Sequence, residues 1–144
     1  MAKIIRTASA AWSGGLKDGK GSISTESGAL KEYPYGFASR FEGQKGSNPE
    51  ELLGAAHAAC FTMALSLILG EAKFKADHMD TTAKVTLEQV EGGFAITSSH
   101  LTLKAKIPGC DDKTFQELAA KAKAGCPLSK VIKAEITLEA TLVA

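Results

Sequence analysis

PEELLGAAHAACFTMALSLILG, residues 49–70, is the stretch on which the fold of this chain turns. From Leu52 to Gly70 it runs nineteen residues without a charge, with one cysteine, Cys60, near the middle. Pro49 suits the first helical position, and Glu50 and Glu51 suit the positive end of the dipole. Ser47 or Asn48 can cap, and Gly70 reads as the stop. The run is apolar nearly all round, so the helix is expected to be buried on most sides. A membrane span would have the same length. His57, Thr62 and Ser66 interrupt it, however, and no basic cluster or aromatic belt flanks it. A helix buried between subunits satisfies the pattern without lipid.

Working outward, the flanking segments alternate as strands of a water-soluble fold. Residues 3–12 and 20–27 form an expected hairpin around Gly14, Gly15 and Asp18-Gly19. FASRF (37–41) reads as a third short strand, with Phe37, Ser39 and Phe41 on one face. Residues 81–90 and 94–105 alternate clearly about a turn at Glu91-Gly92-Gly93. Residues 111–125 are amphipathic, with Phe115, Leu118, Ala119 and Ala122 in one stripe. Cys126-Pro127 opens a further short helix, and 134–143 is the last strand. The order of strands, buried helix, strands, helix and strand gives an α+β class with mostly antiparallel pairing.

At 144 residues the chain is expected to be one domain, 1–144, with a core that needs no metal or disulfide staple. Its 17 basic and 16 acidic residues lack the basic excess of a dedicated nucleic-acid binder. MAKIIRTASAAW contains no continuous apolar signal core, so a cytoplasmic location is expected. Three cysteines do not make a secreted disulfide framework. A redox pair with a bystander and three inert thiols both remain open.

Cys60 lies about three turns into its helix, beyond the reach of the dipole, and burial alone raises a thiol pKa. If it reacts, a permanent cation must hold its thiolate, and a guanidinium is the natural choice. Cys126 is placed where a helix begins, so its sulfur can take the cap position and its thiolate would gain from backbone N–H groups. The two lie 66 positions apart, and spacing alone does not bring them together. Cys110 reads as a loop thiol beside two aspartates that discourage its ionisation. For metal the only suggestive pair is His57 and Cys60 on one helix face, without zinc-type spacing, so no metal site is expected. His78 and His100 read as solvated.

Several stretches together resemble the OsmC/Ohr family of thiol-dependent peroxidases, and its OsmC branch in particular. They are GKGSISTESG (19–28), PYGFASRFEG (34–43), NPEELLGAAHAACFTMALSL (48–67), DTTAKVTLE (80–88), GFAITSS (93–99) and KAKAGCPLSKVIKAEITL (121–138). The resemblance implies that Cys60 is the peroxidatic cysteine and Cys126 the resolving one. It implies that Arg40 is the branch's arginine and Glu50 the glutamate that orients it. The Ohr branch takes its arginine from an earlier loop, and SGGLKDG (13–19) has none. Histidine at 57 also fits the OsmC side, where Ohr proteins carry tyrosine; it could hydrogen-bond near the pocket or be a satisfied interface histidine, the simpler role. The implied fold is an intertwined homodimer, its mostly antiparallel sheets wrapped around long central buried helices.

The implied activity is reduction of organic hydroperoxides, and hydrogen peroxide less well, in oxidative or osmotic stress defence. The cycle would run through a Cys60 thiolate, a sulfenic acid and a Cys60–Cys126 disulfide, without a cofactor. An external dithiol would reopen the bond: a lipoyl protein, a thioredoxin or a small thiol. Leu53, Ala56, Met63, Phe37 and Phe41 would line an apolar pocket. The rival expectation is a non-catalytic stress protein that binds an apolar ligand at a dimer interface.

Overall fold

The computed structural model describes residues 2–144, in two compact units divided after Pro49. In the first, β1 (Ala8–Ser13), β2 (Lys20–Thr25) and β3 (Tyr33–Tyr35) form an antiparallel sheet in that order. The hairpin expected between the first two strands is present, with Gly14 at φ +96° in its loop. Gly21 has a packing reason to lack a side chain. A Cβ there would lie 2.5 Å from the Tyr35 ring and 2.6 Å from that of Trp12, which instead meet at 5.6 Å between centroids.

FASRF is not a strand. Phe37–Phe41 is a short helix, α1, and the third strand lies just before it. The Gly36 N–H donates to Ser39 Oγ at 2.9 Å, and that hydroxyl donates onward to the Ser47 carbonyl at 2.8 Å. The turn is thereby closed on itself. Phe37 and Phe41, which a strand period of two puts on one face, are also i and i+4 of a helix, and their rings meet at 5.0 Å.

The long helix is α2 (Pro49–Glu71). It passes through Gly70 and stops at Lys73, whose φ is +69°. There the Phe74 N–H bonds the Leu69 carbonyl at 2.8 Å and the Lys73 N–H bonds that of Gly70 at 3.1 Å, a Schellman ending. Glu50, Gly54, His57, Phe61, Leu65 and Leu69 form its buried stripe. The expectation of burial on most sides does not hold within one chain: Met63 is 76 % and Leu67 66 % exposed. The helix is long and apolar enough to cross a membrane by length and composition alone. Its buried stripe nevertheless rests on a sheet, with Gly54 against Ala83 and Val85, and Thr62 hydrogen-bonded to Thr81.

That sheet is built from β4 (His78–Val90), β5 (Gly93–Lys106) and β6 (Glu135–Leu142). β4 and β5 are antiparallel, joined by Glu91-Gly92, with Gly93 already in the strand. β5 and β6 are parallel, because α3 (Asp112–Gly125) and α4 (Pro127–Val131) carry the chain back across between them. Along β5 the inward parity is Ser99, Leu101, Leu103 and Ala105, all buried. These close a core with Phe61, Leu65 and Leu69 of α2 and Phe115, Ala119 and Ala122 of α3. His78 opens β4 with its side chain exposed, 2.9 Å from Asp80, and His100 bonds Thr137 at 2.6 Å.

Candidate active site

Cys126 sits at the corner between two helices. Its backbone N–H closes α3 onto Ala122 at 3.0 Å, and its sulfur, at the N-cap of α4, accepts the Ser129 N–H at 3.3 Å. Pro127 suits the next position, having no N–H to leave unbonded. The cap expected from the Cys-Pro pair is therefore present, and it fixes the sulfur in a fully buried place.

Cys60, on α2, comes to this corner from the other side. Its thiol lies close enough to the Cys126 thiol and to the backbone N–H of Leu128 for both to act on its ionisation. Both sulfurs are free thiols in this structure. Burial, first of all, pushes the Cys60 thiol up; the neighbouring Cys126 thiol and its charge add to the rise, and the Leu128 N–H opposes it. The helix surroundings alone therefore disfavour the thiolate, and ionisation needs a cation.

A cavity of about 650 Å³ opens on Cys60. Its walls are Met63, Ala64, Leu67 and Ile68 of α2, with Lys121 and Gly125 of α3 and Pro127. Of the expected lining only Met63 is among these residues; Leu53, Ala56, Phe37 and Phe41 are not. The walls come from positions three, four, seven and eight after Cys60, which share its face of the helix. Arg40 belongs to α1 in the first unit, its guanidinium carbon 5.3 Å from the Phe41 ring centroid. Glu50 is 8 % exposed in the first turn of α2.

Residues 42–141 match the OsmC-like protein family. This chain belongs to that family. Over 136 residues it is 59 % identical to peroxiredoxin OsmC of Escherichia coli (strain K12), covering 94 % of this chain and 95 % of that one. It is 34 % identical to the organic hydroperoxide resistance protein of Xanthomonas axonopodis pv. citri (strain 306), over 69 % of each. The crystal structure of the organic hydroperoxide resistance protein OhrB of Bacillus subtilis superposes with a TM-score of 0.67 at 30 % identity, covering 95 % of this chain and 98 % of the other. The α+β architecture is thus that of OsmC/Ohr proteins.

Among the described residues of this OsmC-family chain, no group of three or more His, Cys, Asp or Glu side chains could hold a metal ion. The one pair that looked suggestive, His57 and Cys60, is not a ligand pair: both ring nitrogens of His57 are engaged. Nδ1 lies 2.7 Å from Ser99 Oγ and Nε2 lies 2.9 Å from Ser129 Oγ. His57 is a satisfied histidine, and serines of its own chain satisfy it. Burial lowers its pKa, so it is neutral near pH 7. Ser99 and Ser129 escaped the sequence reading. Ser99 left one trace there, a hydroxyl on the apolar parity of β5. Ser129 had only its place three residues after the Cys126 cap.

Proposed function

We propose that this OsmC-family chain is a cysteine-based peroxidase that reduces organic hydroperoxides, and hydrogen peroxide less efficiently, in stress defence. The observation that carries the proposal is the Cys60 thiol at an apolar cavity, with the Cys126 thiol near enough to act on its ionisation. The names of the relatives, peroxiredoxin and organic hydroperoxide resistance protein, support it. The Cys60 thiolate attacks one peroxide oxygen, and the O–O bond breaks. The departing alkoxide takes a proton to leave as an alcohol, and Cys60 becomes a sulfenic acid. Cys126 attacks that sulfur, a disulfide forms and water leaves. An external dithiol (a lipoyl protein, a thioredoxin or a small thiol) restores both thiols by exchange.

Arg40 is assigned the cation that the Cys60 thiolate needs, with Glu50 orienting it through a charge-assisted bond. Glu50 and Cys60 are ten residues apart on one helix, about 15 Å along its axis at 1.5 Å per residue. A guanidinium that bonds one does not reach the other in the same chain. A homodimer with paired α2 helices closes that gap by offering each Cys60 the other copy's Glu50. The exposed Met63 and Leu67 supply the apolar face for such pairing. The chain 1–144 then acts as one OsmC-like domain, in the cytoplasm, without nucleic acid or membrane as partner.

The test mixes reduced protein with cumene-type, lipid and inorganic peroxides and several dithiols, followed by peptide mapping. Turnover that Cys60→Ser abolishes, with a Cys60–Cys126 disulfide after one oxidation, is expected. Full turnover in Cys60→Ser, or slow and uniform alkylation of all three thiols at mildly acidic pH, would favour a protein that merely holds an apolar ligand.

A further inference from the structure

The cycle above leaves a line of buried polar groups behind Cys126 without a task. Ser99 of β5 and His57 of α2 are both fully buried, and Ser129 of α4 is half-buried. Ser99 Oγ is 2.7 Å from His57 Nδ1, His57 Nε2 is 2.9 Å from Ser129 Oγ, and Ser129 Oγ is 3.1 Å from Cys126 Sγ. The run is continuous, draws on three elements, and ends on the Cys126 sulfur, the thiol that acts on Cys60. Four polar groups in a core cost stability unless all are bonded, and here each one is.

Its chemistry is directional. With its proton on Nδ1, the ring donates to Ser99 and leaves Nε2 as acceptor. The Ser129 hydroxyl then donates to Nε2, and its oxygen accepts from the Cys126 thiol. The whole line points a proton away from the sulfur, toward a base that burial keeps empty at neutral pH.

We propose that His57, acting through Ser129, is the acid–base relay of the resolving step, taking the Cys126 proton as Cys126 attacks the oxidised Cys60. This rests on the peroxidase reading. The thiol proton passes to Ser129 Oγ while the Ser129 hydroxyl proton passes to Nε2. The Cys126 electron pair forms the S–S bond, and the S–O bond of the sulfenic acid breaks. The departing hydroxide takes a proton from the Ser129 hydroxyl, which Nε2 refills, and leaves as water. Ring and serine end as they began. The same burial that keeps the ring neutral makes its imidazolium quick to give the proton up. Ser99 is a positioning residue, holding the tautomer.

A single-turnover experiment separates the two steps. Reduced protein is mixed with one equivalent of a cumene-type hydroperoxide. Cys60 sulfenic acid is trapped with a dimedone-class probe, and disulfide closure is followed by acid quench and mass spectrometry. Ser129→Ala is expected to slow closure at least about tenfold, at the low end of acid–base contributions, so that more sulfenic acid is trapped. His57→Gln should slow it by a similar factor. The double variant should be no slower than the slower single one, because both break one relay. Ser129→Thr should restore closure to within about threefold. A solvent isotope effect on closure in the parent should vanish in Ser129→Ala, which loss of packing would not cause. Where His57→Gln does not fold, Ser99→Ala stands in, with closure slowed about threefold. Closure within twofold of the parent in Ser129→Ala, while sulfenic acid still forms, overturns the relay alone. Absence of sulfenic acid in the parent overturns the peroxidase reading and the relay with it.

Discussion

In Glu50–Ala144, eleven apolar side chains are sealed from solvent, Phe61, Leu65, Leu101 and Phe115 among them; among the described residues before Glu50, only Ser47 is as buried. The first region is nevertheless not polar. Ile4 and Ile5 are each 71 % exposed, Leu16 66 %, and every residue of β1 is exposed. It is held by strand pairing, by the Trp12–Tyr35 contact and by the serine bonds around α1. The second region has a core that organises a sheet, two helices and a thiol pair. The contrast extends into α2 itself, where one stripe is buried and Met63 and Leu67 face outward. Apolar surface that one chain leaves uncovered is surface that association can bury.

The contrast is sharpened most by Phe61→Ala. Phe61 is fully buried one residue after the candidate nucleophile. Its loss should cost about 3–5 kcal/mol, from lost transfer energy and the cavity left behind. Urea denaturation at fixed protein concentration checks this, and a cost under about 1 kcal/mol would deny the second region its core.

Leu67→Asp probes the outward side of the same helix. A carboxylate there touches no core residue and should leave the circular dichroism spectrum of the fold intact. In a paired helix face it is buried without a partner, so self-association should weaken at least a hundredfold, about 2.7 kcal/mol. Sedimentation at several concentrations measures it. Unchanged association would move the contact surface elsewhere, Ile4, Ile5 and β1 being the next candidates.

His57 gives a smaller, pH-dependent effect. Its pKa is lowered by burial, so the unfolded chain binds the extra proton first as pH falls below the ordinary value of 6.5. Stability from this group is therefore complete above pH 6.5 and is lost progressively as pH falls toward the depressed folded value. Both ring nitrogens face serine hydroxyls rather than a carboxylate that would reverse the sign. Removing the ring in His57→Gln should cost about 1–3 kcal/mol at pH 7.5, since Ser99 and Ser129 lose a buried partner. It should also flatten the decline between pH 7 and 5. An equally steep decline in the variant would mean that another group titrates.

Much of this was legible in the sequence because it depends on local pattern. The long helix, the hairpin at Glu91-Gly92, the stripe of α3 and the cap at Cys126 each follow from residues within a few positions. FASRF was misread because five residues carry too little period: the four-residue spacing of Phe37 and Phe41 fits a strand period of two and a helical turn alike, and the bond from Gly36 to Ser39 decides. The parallel pairing of β6 with β5 joins residues some forty positions apart, and no local signal carries it. The roles of Cys60 and Cys126 came from family likeness, since spacing cannot show two sulfurs meeting. The line from Ser99 to Ser129 was hidden for the same reason: three elements had to converge before a serine on an apolar strand face acquired a partner.

The smallest effect belongs to Cys110→Ser, and it tests whether neighbourhood rather than thiol chemistry separates the cysteines. Cys110 is half-buried, with its sulfur 3.5 Å from the Asp111 carbonyl. Burial raises its pKa first, and the Asp111 and Asp112 carboxylates add to the rise. No cysteine adjoins it in its own cavity, whose walls are Lys106–Cys110 and Leu142–Ala144. Cys60 is raised by burial too, but it has the Cys126 thiol as a neighbour. If neighbourhood decides, Cys110→Ser should turn over peroxide within twofold of the parent, and Cys110 should be the slowest thiol to alkylate at pH 6. A turnover loss beyond about threefold, or a Cys110 disulfide after one oxidation, would mean that the corner at Cys126 opens far enough for a third thiol to enter, and that the core around it is less fixed than its burial implies.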